Sequence, residues 1–390
     1  MGRALAFYAF ALAVGLILAE IAARVWLGRY ASDDQFTMFG TLAGVVERSA
    51  SRGTVLYKYE PHRYLGYVPA ANFERGLNRH NKFGYRGEDF PKIKPKGEFR
   101  IVCVGGSTTY TSRVEDSALS YPSLLEEELH AQGKTQVRVI NAGVEGWASY
   151  ETLINFQLRL LDLNPDLVIV YHGVNDAVAR LVYPPRFYKP DNSGYTQATS
   201  GWSQPVSLWD RSVVLRIIRN RLGFSRGQLT MLNAFGGLAP SGMYWYFAEE
   251  MTQGVYPLGV FEEHPVSEMF DENRPAPFRR NIGNVIATAR SNRVDVVLAT
   301  FAVDRVNAYG PRFASLNHPE FVRGIDDNNA ILKQIASRDE VPLYDFAAEF
   351  PLDRSLFSDP VHVSAEGSRL KAKLFARFLL RTELIPDVAE

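Results

Sequence analysis

A single cysteine in 390 residues, Cys103, leaves no partner for a disulfide and no second thiol for a multi-cysteine metal site. It stands in the apolar run Ile101-Val102-Cys103-Val104, where a buried, inert thiol is the expectation. Excess charge of either sign is missing too, since 43 Lys and Arg meet 43 Asp and Glu. A nucleic-acid binder needs a basic surplus or stripe to neutralise phosphates, so that class is set aside. There is no internal repeat and no low-complexity tract. With 46% hydrophobic and 22% charged residues, the chain holds enough apolar side chain to offset its conformational entropy, which argues against a mainly disordered protein. Its length suits two or three average domains, or one large domain with insertions.

Charge is also absent locally. From Ala4 to Ala19 no residue is ionisable at neutral pH, and the apolar run continues past Glu20 to Ala23, close to the ~20 residues that cross a bilayer. Glu20 is the cost of that reading, placed near one interface. Arg3 precedes the run and Arg24 and Arg29 follow it, so the distribution of positive charge does not set an orientation. Residues 1–27 are read as a membrane anchor or signal segment. An uncleaved anchor is the expectation, because the run is long for a signal peptide. Cleavage near Ala22 and Ala23 stays open. Either way the bulk of the chain is expected outside the cytoplasm, membrane-anchored or, after cleavage, secreted.

Residues 28–96 read as an N-terminal extension of weak periodicity. Its clearest feature is the turn-rich stretch Asn78 to Gly87, read as a loop or short hairpin. The competing reading sends Arg86 or His80 to a functional site. From Phe99 onward strands alternate with helices. Strands are predicted at 100–104, 137–140, 167–171, 294–298 and 342–344, and helices at 121–129, 150–163, 278–289, 326–336 and 365–380. Leu167 to Tyr171 is apolar at successive positions, as a strand buried on both faces requires. The alternation predicts a three-layer, doubly wound α/β fold with a mostly parallel five-stranded sheet, spanning 97–385. A long interruption at about 181–277 follows the third strand. Its aromatics, including Trp202 and Tyr244 to Phe247, are expected to pack the insertion onto the core, with a sugar-stacking platform as the alternative.

In such a sheet the ligand crevice lies at the carboxyl ends of the strands. Gly105-Gly106-Ser107 follows the first strand, Asn141 to Trp147 the second, and His172-Gly173-Val174-Asn175-Asp176 the third. Asp359-Pro360-Val361-His362 precedes the last helix. Together these are ingredients of acyl transfer. A serine hydroxyl is a weak nucleophile until a base takes its proton, and an imidazole, with an ordinary pKa near ~6.5, is largely neutral at working pH. Ser107 is therefore the candidate nucleophile, His362 its base, and Asp359 the carboxylate that orients the base. Pro360 favours a turn that folds Asp359 back onto the ring of His362. The N–H groups of Ser107 and Gly146 and the amide of Asn175 are candidate oxyanion donors. Asn175 has a competing role as a helix cap. A metal site built from His172, Asp176, Asp359 and His362 is the weaker alternative, because hard-ligand clusters usually show tighter spacing. The remaining histidines read as structural.

These blocks resemble those of the SGNH hydrolases, or GDSL-type esterases, over about Phe99 to Arg381. Gly105-Gly106-Ser107 stands where that family usually has Gly-Asp-Ser, a departure that removes no triad member. Gly146 matches the second block, Gly173, Asn175 and Asp176 the third, and Asp359 and His362 the last. The Gly-x-Ser-x-Gly elbow of α/β-hydrolases is absent, with Thr109 in place of its second glycine. The resemblance implies a flavodoxin-like sheet and a serine esterase for short acyl groups, acetyl among them, on an envelope or extracellular glycan. No metal or organic cofactor is implied. Two alternatives stay open: a polysaccharide O-acetyltransferase using the same acyl-enzyme, and a non-catalytic glycan-binding or assembly subunit. Protein partners are not legible.

Overall fold

The computed structural model describes residues 2–52, 55, 57–62, 64–181, 185, 188, 211–222, 265–309, 316 and 318–387. Most of the insertion expected at 181–277, with Trp202 and Tyr244 to Phe247, lies outside the described residues.

Three helices open the chain: α1 (Gly2–Arg29), α2 (Asp33–Phe39) and α3 (Leu42–Arg52). Helix α1 has 28 residues, and at ~1.5 Å per residue it exceeds the ~30 Å hydrocarbon core of a bilayer. It is exposed along nearly its whole length, as either an anchor or a signal segment would be. Two antiparallel hairpins come next, β1 (Tyr59–His62) with β2 (Gly66–Pro69), and β3 (Glu74–Arg75) with β4 (Asn78–Arg79).

The central sheet comprises β5 (Phe99–Gly105), β6 (Val137–Asn141), β7 (Leu167–Tyr171), β8 (Asp295–Ala299) and β9 (Leu343–Tyr344), in the order β6-β5-β7-β8-β9, with every pair parallel. The expected α/β class and five-stranded sheet are therefore present. Alternation along a strand sends Ile101, Cys103, Leu167 and Ile169 to one face and Val102, Val104, Val168 and Val170 to the other. Both faces are buried by helices, which is why β7 reads as an unbroken apolar run. Cys103 is buried as expected, and burial pushes its thiol pKa up to about 12.

The helices in chain order are α4 (Ser107–Tyr110), α5 (Tyr121–Ala131), α6 (Ser149–Asn155), α7 (Val174–Val178), α8 (Val213–Arg221), α9 (Val266–Glu272), α10 (Ala276–Ser291), α11 (Pro319–Asp339), α12 (Phe346–Glu349) and α13 (Ala365–Arg381). Helices α5 and α13 pack together over one face of the sheet, while α6 and α10 pack together over the other. The helix expected over 150–163 changes pitch, widening to i→i+5 bonds across Phe156–Leu160 before tightening over Leu161–Leu163.

The N-terminal segments are tied to the rest at several places. Glu20 of α1 accepts hydrogen bonds from the Ser212 hydroxyl (2.7 Å) and from the N–H groups of Val213 (3.0 Å) and Val214 (3.1 Å), capping α8. Leu27, Ala31, Phe39 and Val213 bury one another at that junction. Further on, Arg86 bridges to Asn141, so the extension covers the end of edge strand β6.

Candidate active site

In the order β6-β5-β7 the chain passes from β5 to β6 on one side and then returns to β7 on the other, so the strand order reverses at β5, where open α/β sheets bind ligands. Ser107 opens α4 directly after β5, and Asn175 lies in the first turn of α7 after β7. The loop between β6 and α6 carries Gly146. The loop before α13 brings in Asp359 and His362.

His362 Nε2 lies 2.8 Å from Ser107 Oγ, and His362 Nδ1 lies 2.8 and 2.9 Å from the two carboxylate oxygens of Asp359. Asp359 Oδ1 also accepts the N–H groups of Val361 (3.1 Å) and His362 (3.0 Å), the turn that Pro360 was expected to favour. Arg113 Nε donates to Asp359 Oδ2 at 3.0 Å. Burial alone would raise the pKa of Asp359. The adjoining His362 and Arg113 outweigh it and hold the carboxyl well below the usual range. With Asp359 on Nδ1, the proton of a neutral ring belongs there, which leaves Nε2 to accept from the Ser107 hydroxyl.

After β7, Asn175 Nδ2 donates to the carbonyl of Trp147 at 2.7 Å. A Cβ on Gly106 would come within 2.5 Å of that nitrogen and 3.0 Å of the Trp147 carbonyl, so residue 106 admits no side chain while Asn175 stays in place. Gly146 has φ +81°, a backbone that favours glycine. Ser107, Gly146 and Asn175 thus follow the carboxyl ends of three adjacent strands, β5, β6 and β7.

The third-block aspartate does something else. Asp176 accepts the N–H of Ser149 with both oxygens at 3.1 Å and its hydroxyl with Oδ1 at 2.6 Å, joining the start of α6 to α7. Burial, only partly offset by these bonds, pushes its pKa up to about 7. His172 is buried against Thr152 (2.7 Å), and burial lowers its pKa to about 3. The four residues of the metal alternative form two separate His–Asp pairs. Among the described residues, no three His, Cys, Asp or Glu side chains converge as metal ligands.

Among the described residues, neither Arg86 nor His80 hydrogen-bonds to Ser107, Asp359 or His362. Arg86 is buried and donates to the carbonyls of Tyr110 (2.6 Å), Thr111 (2.7 Å), Val114 (2.5 Å) and Glu115 (3.1 Å), behind the Ser107 turn. His80 Nε2 lies 2.9 Å from the Tyr110 hydroxyl. The sequence reading missed Arg113, which no local pattern marks. It also missed the buried group around Glu145, where Lys58 Nζ lies 2.5 Å from Oε2 and the Tyr59 hydroxyl donates to the same oxygen.

Residues 103–241 match the model of the GDSL-like Lipase/Acylhydrolase family. That span holds Ser107, Gly146 and Asn175 and stops short of Asp359 and His362. No match was found among curated proteins. Among solved structures, the chain is similar to a lipolytic protein of the G-D-S-L family from Desulfitobacterium hafniense DCB-2, at 14% identity over 72% of this chain and 100% of that one, with a TM-score of 0.39. It is similar to the lipase/acylhydrolase of Enterococcus faecalis, at 17% identity over 75% and 100%, with a TM-score of 0.41. An acetyl xylan esterase from Geobacillus stearothermophilus is similar at 16% identity over 77% and 100%, with a TM-score of 0.39. Over residues 103–241 the chain is thus similar to GDSL-like lipases and acylhydrolases.

Proposed function

We propose that the chain is a serine esterase in which Ser107, His362 and Asp359 form the catalytic triad and Ser107 N–H, Gly146 N–H and Asn175 Nδ2 receive the oxyanion. The observation that carries the reading is the unbroken relay from Ser107 Oγ through both nitrogens of His362 to Asp359. His362 Nε2 takes the Ser107 proton as Oγ attacks the ester carbonyl. The ionised Asp359 stabilises the imidazolium so formed. Collapse of the tetrahedral intermediate expels the alcohol, which receives that proton, and leaves an acyl-Ser107. Water, activated by the same imidazole, then releases the acid. A sugar hydroxyl in place of water would make the same acyl-enzyme a transferase.

Short acyl esters on an envelope or extracellular glycan are the proposed substrates. Helix α1 is the proposed anchor, holding the catalytic part on the far side of the membrane from the cytoplasm. Its retention is supported by Glu20, which lies on the N-terminal side of any cleavage near Ala22 and caps α8.

The test is hydrolysis of a chromogenic acetyl ester by the full chain in detergent, with and without a glycan acceptor. Ser107→Ala is expected to abolish release without lowering the melting temperature. A variant that retains substantial activity moves the nucleophile elsewhere. Acyl transfer to the glycan in preference to water makes the enzyme a transferase.

A further inference from the structure

The hairpin β1–β2 lies in the extension, outside the strand ends that carry the proposed chemistry, yet its side chains close on the residue before Gly146. The Tyr67 hydroxyl donates to the main-chain carbonyl of Glu145 at 2.5 Å. On the same residue, the side-chain Oε2 receives Lys58 Nζ at 2.5 Å and the Tyr59 hydroxyl. Tyr59, Tyr67, Val144 and Trp147 belong to one buried apolar cluster, with the two tyrosine rings 5.1 Å apart in an edge arrangement. The Lys58 ammonium also lies 4.2 Å from the ring centre of Tyr110, the last residue of α4.

The carbonyl of Glu145 and the N–H of Gly146 belong to one planar peptide unit and point in opposite directions. Holding the oxygen therefore aims the N–H. Restraint matters at this peptide because glycine populates both signs of φ readily, so the unit ahead of Gly146 rotates at little steric cost. Stability alone is a weak account of the ion pair, since burying Lys58 and Glu145 carries a desolvation cost that their attraction at best offsets. The carboxyl is nonetheless kept ionised: burial opposes this, but Lys58, Tyr59 and Ser112 bring its pKa down to about 2.

Resting on the esterase reading above, we infer that Tyr67 is a positioning residue that aims the Gly146 N–H at the oxyanion, with Lys58 and Tyr59 holding Glu145 in register through its side chain. The extension is then part of the catalytic apparatus rather than a spacer between anchor and enzyme.

The experiment compares wild type, Tyr67→Phe, Lys58→Met and Ser107→Ala on the chromogenic acetyl ester, with a melting curve for each. Tyr67→Phe keeps the ring and removes one hydroxyl. Its kcat is expected to fall about tenfold, part of the loss for deleting an oxyanion donor, with KM and melting temperature near wild type. A structural role alone would lower the melting temperature and leave kcat intact in the folded fraction. Should Tyr67→Phe fail to fold, Lys58→Met carries the same split in kcat against KM. If Ser107→Ala abolishes wild-type activity while the hydroxyl and ammonium deletions leave kcat unchanged, the inference falls and the esterase reading stands. If Ser107→Ala keeps the activity, both fall.

Discussion

His362–Asp359 and His172–Asp176 are both buried histidine–carboxylate pairs beside the head of the sheet, and their contacts set them apart. In the first, the ring nitrogen lies 2.8 and 2.9 Å from the carboxylate oxygens, and Arg113 adds a cation at 3.0 Å. In the second the closest approach is 3.7 Å, and Asp176 is served by the N–H and O–H of Ser149. The first carboxyl is held well below its ordinary range, whereas burial carries the second up to about 7. A charge that must stabilise an imidazolium needs the first environment. A carboxyl that joins two helix starts tolerates the second. Proximity of Asp to His in sequence does not separate the roles, but the donors each carboxylate collects do.

Asp359→Asn should break the contrast most severely. Its kcat is expected to fall by about 10⁴-fold, because an amide neither fixes the tautomer nor stabilises the charged ring. Asp359 also contributes to stability, since its folded pKa lies below its unfolded value. That contribution is full above roughly pH 4 and is lost as pH falls towards the depressed pKa. Melting curves from pH 7 downward should show the gap between wild type and variant closing.

Asn175→Ala, beside Asp176 but proposed to receive the oxyanion, is expected to lower kcat and kcat/KM together by roughly 10²–10³-fold. A lower melting temperature with normal kcat would leave it only the role of a helix cap. Arg113→Met probes what the extra cation adds. Because Arg113 is partly exposed and screened, the loss in kcat is expected to stay under about tenfold, and Arg113→Lys should recover part of it.

The smallest effect on rate is expected for Asp176→Asn, whose steady-state constants should stay near wild type. Its signature is in stability. Asp176 has a folded pKa raised above its unfolded value, so wild type loses stability as pH rises from roughly 4 towards 7. An amide does not ionise. The variant should therefore gain on wild type across that window, by up to a few kcal/mol (about 1.4 per pKa unit). Melting curves at pH 5 and pH 8 check the sign, and a variant that loses ground at pH 8 refutes the assignment.

The crevice was largely legible in the sequence because each of its first three loops directly succeeds an apolar strand. Leu167 to Tyr171 announced a strand covered on both sides, and the segment after it, Gly173-Val174-Asn175, fell where open α/β sheets bind ligands. The extension resisted reading for a physical reason. Lys58, Tyr59, Tyr67, His80 and Arg86 are buried at irregular spacing on short hairpins and turns, without a sustained helical or strand period, so no pattern betrays them. Arg113 likewise pairs with a carboxylate far along the chain. Helix α11 was predicted from about 326 but begins at Pro319, where a proline in the first turn, preceded by His318 accepting the Glu320 N–H, was a start signal left unused.

The central claim, that Ser107 is the nucleophile driven by His362 and Asp359, is tested most directly by labelling the full chain with a fluorophosphonate and mapping the adduct by mass spectrometry. The account expects one adduct on Ser107 in the wild type, much slower labelling in Asp359→Asn and none in His362→Ala. An adduct on another residue, or unchanged labelling of Ser107 without His362, would contradict it.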